Sequence, residues 1–188
     1  MKQKRKANIL PIGLLMIEHR LIERMVALFK KEGEKLEADK TIDADFLGAG
    51  VDFFKFYADR CHHGKEEDFL FKGLKKKQLT SEHKNMLAGL LQDHARAREL
   101  VEALDRARQR YLRQGDYAGA DTQEYIKKLV ELYTGHIQKE DKQFFFPAMK
   151  YFTKKEQQAM LDQFEEFDKM LIHEKYRKLI EKMEGGVF

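Results

Sequence analysis

The sequence predicts an all-α fold, an up-down-up-down four-helix bundle with an additional C-terminal helix. Three observations predict it. Apolar residues make up 43% and charged residues 36% of the chain, with only 2 Pro and 12 Gly, too few for the many turns of an all-β protein. Apolar side chains recur three, four and seven positions apart over long segments. No segment reads convincingly as a strand. A chain of 188 residues suffices for one domain with its own core. Residues 1–188 therefore read as a single domain, with a bundle core over about 9–147 and a C-terminal helix over about 153–184.

The first helix is predicted over about Ile9 to Leu36. Pro11 sits in its first turn, where a missing N–H costs nothing. Leu15, Ile22, Val26 and Phe29 mark one face, and Gly33 with the polar "EGEKLEADK" weakens the end. The second helix runs from Asp43, a residue suited to the N-cap, to Leu74, with Gly73 near its stop. The third starts at Thr80 or Ser81, carries Leu87, Leu90, Leu91, Ala97, Val101 and Leu104, and closes at Gly115. The fourth begins near Asp116 or Asp121 and ends before Pro147, with Ile126, Leu129, Val130, Leu132 and Tyr133 on its core face. The fifth opens on a capping box, Thr153 with Glu156. It runs toward Met183 through Met160, Leu161, Phe164, Phe167 and Leu171. Segments of about 25–32 residues are each roughly 40–50 Å long at about 1.5 Å per residue. Short connections favour antiparallel neighbours.

Charge and composition exclude several function classes. The formal net charge is +4, with both signs interspersed outside the N-terminal "KQKRK", which argues against a nucleic-acid partner. No apolar run approaches the roughly 18 residues needed to span a bilayer, so no membrane partner is expected. The stretch "ILPIGLLMIEH" is interrupted by Pro11, Glu18 and His19 and makes a poor signal peptide. The lone cysteine, Cys61, rules out an internal disulfide and fits a reducing compartment. The cytoplasm is the expected location.

The histidines are the informative residues. His19 shares a face with Leu15, Ile22 and Val26; His94 with Leu90, Leu91, Ala97 and Val101; His136 with Leu129, Leu132 and Tyr133. Each places a polar ring on a stripe that should face the core, which is costly without a partner. In "CHHGKEEDFLF" the His62 face, Leu47, Val51, Phe54, Ala58, His62, Glu66 and Phe69, is cleaner than that of His63. His62 and Glu66 are therefore the favoured inward pair, with His63 and Glu67 the fallback. Each long helix then contributes one inward imidazole, and His62–Glu66 and His136–Glu140 add a carboxylate one turn later. Residues four apart lie on one face, so both reach a single point. Two such pairs suit two carboxylates bridging two metal ions, with imidazoles capping them. Iron, manganese or zinc fits these donors, and the lack of a second cysteine argues against a thiolate zinc site.

Four segments resemble the hemerythrin-like (HHE cation-binding) family: "IEHRLIERM", "FFKFYADRCHHGKEEDFLF", "LLQDHARARELV" and "YTGHIQKEDKQFFFP". The two H-x-x-x-E motifs, each followed by an apolar patch, are the specific part. The resemblance implies a four-helix bundle around a non-haem di-iron centre with an oxo or hydroxo bridge. It implies that His19, His62, Glu66, His94, His136 and Glu140 are ligands, the glutamates bridging. Oxygen-carrying hemerythrins have a further histidine four residues after the third-helix one; here that position is Arg98. The replacement opens a coordination position or calls for a substitute, for which Glu23, four residues after His19, is a candidate beside a solvated role. Asp141 is an alternative to Glu140. Tyr133 is a candidate supporting hydroxyl, or core. His83, about 16 Å before His94 by helix rise, belongs to a bundle end, and His173 to the surface or to packing.

The function implied is binding of O₂, NO or another small oxidant by a di-iron protein, for sensing, storage or detoxification. The alternative is a di-iron oxidoreductase handling peroxide or NO, or an iron donor for cluster repair; Arg98 near the ions would favour it by stabilising an anionic oxidant. No substrate motif or protein partner is legible.

Overall fold

A computed structural model of the chain describes residues 9–39, 41–114, 119–168 and 172–185. Among them there is no strand. Six helices follow one another: α1 (Pro11–Asp39), α2 (residues 44–74), α3 (Ser81–Gln114), α4 (residues 119–149), α5 (Lys154–Phe167) and α6 (Ile172–Glu184). The N-terminal basic stretch, Gly115, Asp116 and Leu171 lie outside the described residues.

Local chemistry sets the helix starts. The Asp43 carboxylate accepts from the Phe46 backbone N–H at 2.9 Å and opens α2. Thr80 Oγ1 accepts from the His83 N–H at 3.2 Å and opens α3. The Thr153–Glu156 capping box opens α5, with both reciprocal bonds formed. The first four helices alternate in direction. Lys55 and Glu67 of α2 meet Asp105 and His94 of α3, and Asp93 and Arg110 of α3 meet Lys139 and Asp121 of α4. Arg20 and Gly33 of α1 meet Asp141 and Ile126 of α4. At Gly50 of α2 a Cβ would fall 2.1 Å from the Phe29 ring of α1. Glycine is what permits that approach.

The bundle helices α2 and α4 are not uniformly α. Helix α2 is π-helical over Phe54–His63 and Glu66–Phe71, and α4 over Glu140–Phe144. These wide turns carry His62, His63 and Glu66 of α2 and Glu140 of α4. In α4 the π turn leads into Phe145–Met149, so the helix continues past Pro147 instead of ending before it. Pro147 falls in the first turn of that new α segment, where a missing N–H is tolerated.

The predicted fifth helix is two helices. Helix α5 stops at Phe167, and Asp168 takes φ −86° and ψ 1°. Its carboxylate bonds to Lys65 of α2 and is drawn out of the helical path. Helix α5 packs on α1 and the Glu66–Phe71 turn, and α6 packs on α1 and α2. The C-terminal pair thus lies along the seam between the first two helices.

The apolar core is in two blocks. One contains Ile22, Phe29, Val51, Ala58, Ala97 and Tyr133; the other contains Leu15, Leu70, Leu90, Phe144 and Phe164. On the first three bundle helices the break between blocks falls at the histidines, and on α4 it falls at Glu140, one turn after His136. A polar layer separates them.

Candidate metal centre

Seven buried side chains fill that layer: His19 from α1, His62, His63 and Glu66 from α2, His94 from α3, and His136 and Glu140 from α4. His136 Nε2 and His19 Nε2 lie 3.1 and 3.2 Å from one oxygen of Glu140. His62 Nε2 lies 3.5 Å from one oxygen of Glu66, and His94 Nε2 lies 3.3 Å from the other. Each glutamate therefore spans two groups of imidazoles. One group is His63, His94 and His136 with Glu66; the other is His19 and His62 with Glu66 and Glu140. Donor atoms bound to one ion at about 2.0–2.2 Å stand about 3 Å apart, and these separations match.

All six residues predicted as ligands meet here. So does His63. The choice between His62 and His63 does not arise, because both enter, while Glu67 stands outside the two glutamates. The π turns explain it. Their i→i+5 bonding places an extra residue in each turn, so consecutive positions stand closer in angle than in an α-helix. The rings of His63 and His94 stack at 3.8 Å between centroids.

Each imidazole is held from behind by a carboxylate. Nδ1 of His19 donates to Asp141 at 2.7 Å, of His62 to Glu18 at 2.9 Å, and of His94 to Glu67 at 2.8 Å. Nδ1 of His63 lies 3.3 Å from Asp59, and of His136 3.4 Å from Asp93. Every Nε2 is thereby turned inward. Carboxylate support of this kind orients a metal-binding imidazole and raises its basicity. Cations hold the carboxylates in turn: Arg20 on Asp141, Lys139 on Asp93, Arg98 on both Asp59 and Glu67, and Lys65 on Glu18.

These contacts place the remaining candidates. Asp141 and Glu67 are supports. Arg98 does not point into the layer; it ties together the supports of His63 and His94, Asp59 and Glu67, from the surface. Glu23 does not join the centre. Its side chain is 45% exposed and pairs with Arg20 instead. Tyr133 is buried with its ring stacked on Phe54 at 5.0 Å and near His63 at 6.1 Å. His83 bonds to Tyr151 near the bundle end. Sequence reasoning missed Glu18, Asp59, Asp93 and Lys65. Only Asp59, four residues before its histidine, left a spacing signal; the others support histidines on other helices or, for Lys65, another carboxylate.

The electrostatics describe a cage built for positive charge. Burial by itself would push the His19 and His136 pKa values down, but Asp141 and Glu140 raise His19 to about 9, and Glu140 and Asp93 raise His136 to about 10. Glu140 stays ionised well below the usual carboxylate range despite its burial, because His136 and His19 face it. His63, buried among other imidazoles, is held neutral. Seven buried polar atoms, Nε2 of His19, His62 and His63 and both oxygens of Glu66 and Glu140, make no hydrogen bond. Atoms so buried need partners. Cations held between them would satisfy all seven, so the residues fit a metal pair.

A family model described as the hemerythrin HHE cation-binding domain matches residues 10–148 and, in an overlapping second match, residues 86–185. The chain belongs to the hemerythrin HHE family. Comparison with curated proteins and with solved structures found no match. Membership carries cation binding with it, and the HHE bundle is the four-helix core described above. No helix among the described residues is long and apolar enough to cross a membrane.

A further group of donors lies beside the HHE centre. Oxygen, sulfur or nitrogen atoms of Glu18, Cys61, Asp168 and His173 come within 4.8 Å of one another. A cation already stands among them. The Lys65 ammonium is 0% exposed, bonds to Glu18, and reaches Asp168 at 2.6 and 2.7 Å. Burial opposes its charge, but Glu18 and Asp168 outweigh burial and raise its pKa. Burial pushes the Cys61 thiol up to about 12, so it is no thiolate.

Proposed function

We propose that this HHE protein holds two iron ions, bridged by Glu66 and Glu140, and binds O₂ or another small diatomic such as NO. The observation that supports this is the split of the imidazoles. His63, His94 and His136 face one ion position, and His19 and His62 face the other. The second position has one imidazole fewer and so has room for an outside ligand. Nitrogen and oxygen donors without thiolate suit iron, with manganese and zinc as rivals. When bound, an iron pair supplies redox chemistry and a place for the oxidant. The chain supplies the rest: it fixes the Nε2 atoms, keeps two carboxylates charged, and shields the layer between two apolar blocks. A cytoplasmic role fits the buried free thiol of Cys61.

The oxidoreductase reading leaned on Arg98 meeting an anionic oxidant. Arg98 is instead engaged by Asp59 and Glu67, so binding is favoured over turnover. Metal analysis and ligand mixing test the proposal. Protein purified without chelator should hold about two iron ions per chain, and the reduced form should bind O₂ or NO reversibly. Zinc alone would overturn a redox role. Rapid irreversible oxidation with turnover of peroxide or NO would favour the enzyme.

A further inference from the structure

We infer that the C-terminal helix pair is a working part of the dinuclear centre: Asp168 seats the buried Lys65 ammonium, which fixes Glu18 on His62 and so governs the two-imidazole ion position. The inference rests on the proposed function, in which His62 is a ligand.

Four of the five imidazole supports are complete within the bundle. Asp141, Asp59, Glu67 and Asp93 are held by Arg20, Arg98 or Lys139, all partly exposed cations of bundle helices. The fifth differs. One oxygen of Glu18 accepts from His62 Nδ1 at 2.9 Å and the other takes Lys65. Lys65 has no contact with water and cannot rest on one carboxylate that is already shared with an imidazole. An ammonium so buried needs full pairing. The second carboxylate is Asp168, between α5 and α6, with both oxygens on Nζ. His173 Nε2 lies 3.2 Å from Asp168 and its Nδ1 3.1 Å from the Tyr57 hydroxyl, which anchors the start of α6 on α2. The break in the C-terminal helix falls at the residue that reaches Lys65.

The consequence is electronic as well as geometric. Glu18 strengthens His62 as a donor in proportion to the negative charge it keeps on the His62 side. Lys65 draws on that charge, and Asp168 neutralises Lys65. Without Asp168, the ammonium leans on Glu18 alone and His62 becomes a weaker, less well-aimed ligand. Asp168 is thus a positioning residue acting on the ion position through Lys65, Glu18 and His62.

The test uses the full chain loaded anaerobically with iron. Release of iron to a chelator and the absorption spectrum of the azide complex are measured for wild type, Asp168→Asn, Asp168→Glu, Lys65→Met/Asp168→Asn and Glu184→Gln. Glu184 pairs with Arg24 at 2.7 Å and docks α6 on α1 away from Lys65, so its variant reports docking alone. Asp168→Asn should release one of its two ions about tenfold faster or more and shift the azide spectrum. Asp168→Glu should recover much of both. The double variant removes the buried charge together with its partner, so it should fold; Glu18, no longer anchored or drawn on by the ammonium, should shift the azide spectrum from wild type in the direction opposite to Asp168→Asn. Wild-type release and spectrum in Asp168→Asn and the double variant would overturn the inference, as would a Glu184→Gln protein that matches Asp168→Asn. A third metal equivalent in wild type, lost in Cys61→Ser, would also overturn it by making the lysine seat a metal site. Wild type without a metal pair would instead fail the proposed function, and this inference with it.

Discussion

His62 and His63 are neighbours in the chain, yet their rings stand 5.8 Å apart at 52° and belong to two different donor groups that share Glu66. One peptide step supplies both halves of the centre. The π turns of α2 make this feasible, since each carries one residue more than an α turn.

His63 should therefore bind metal while Glu23 does not. His63→Ala should lower metal content at the position shared with His94 and His136, and Glu23→Gln should leave it unchanged. Metal analysis of the two proteins checks this. Equal metal loss from both would reinstate Glu23.

His136→Ala should lose metal and lower the thermal midpoint of the loaded protein, since binding free energy is coupled to folding. Without metal the variant should also be weakened, because Glu140 stays buried with one imidazole fewer. Calorimetry with and without chelator measures both effects.

The metal-free protein should lose stability as pH rises. His19 and His136 have folded pKa values of about 9 and about 10, above the ordinary 6.5 of a free imidazole. A group with a raised folded pKa contributes its full stability below the unfolded value and loses it on the way up. Thermal midpoints should thus fall between pH 6.5 and 10. Metal affinity should rise over the same range, because ions compete with those protons. A metal-free midpoint that climbs with pH there would refute this picture.

Gly50→Ala should destabilise by roughly 1–3 kcal/mol, the usual cost of overpacking. The added methyl meets Phe29 in the α1–α2 contact. At about 2–4 °C per kcal/mol for a chain of this size, the fall is readily seen in a thermal melt.

Arg98→Ala should speed metal release without removing a ligand, because Asp59 and Glu67 both lose their clamp. A tenfold change is typical for such supports. Arg98→Lys should rescue little, since one ammonium does not reproduce the guanidinium fork that spans two carboxylates.

The amino-acid sequence alone determined the rods and most of the site. Helical spacing of apolar residues marked four long helices, and the same spacing exposed His19, His62, His94 and His136 as polar rings on apolar stripes, with Glu66 and Glu140 one turn on. Both signals are local and repeat with the helical period, so they survive in one dimension. Tertiary structure decided the rest. A regular α step puts His63 on the flank, and only the π winding of α2 turns it inward. The breaking of the last helix at Asp168 answers to Lys65, 103 residues away. Glu18, Asp93, Glu67 and Asp141 each support a histidine on another helix. Pairings between helices depend on which faces meet, and no interval along the chain encodes that.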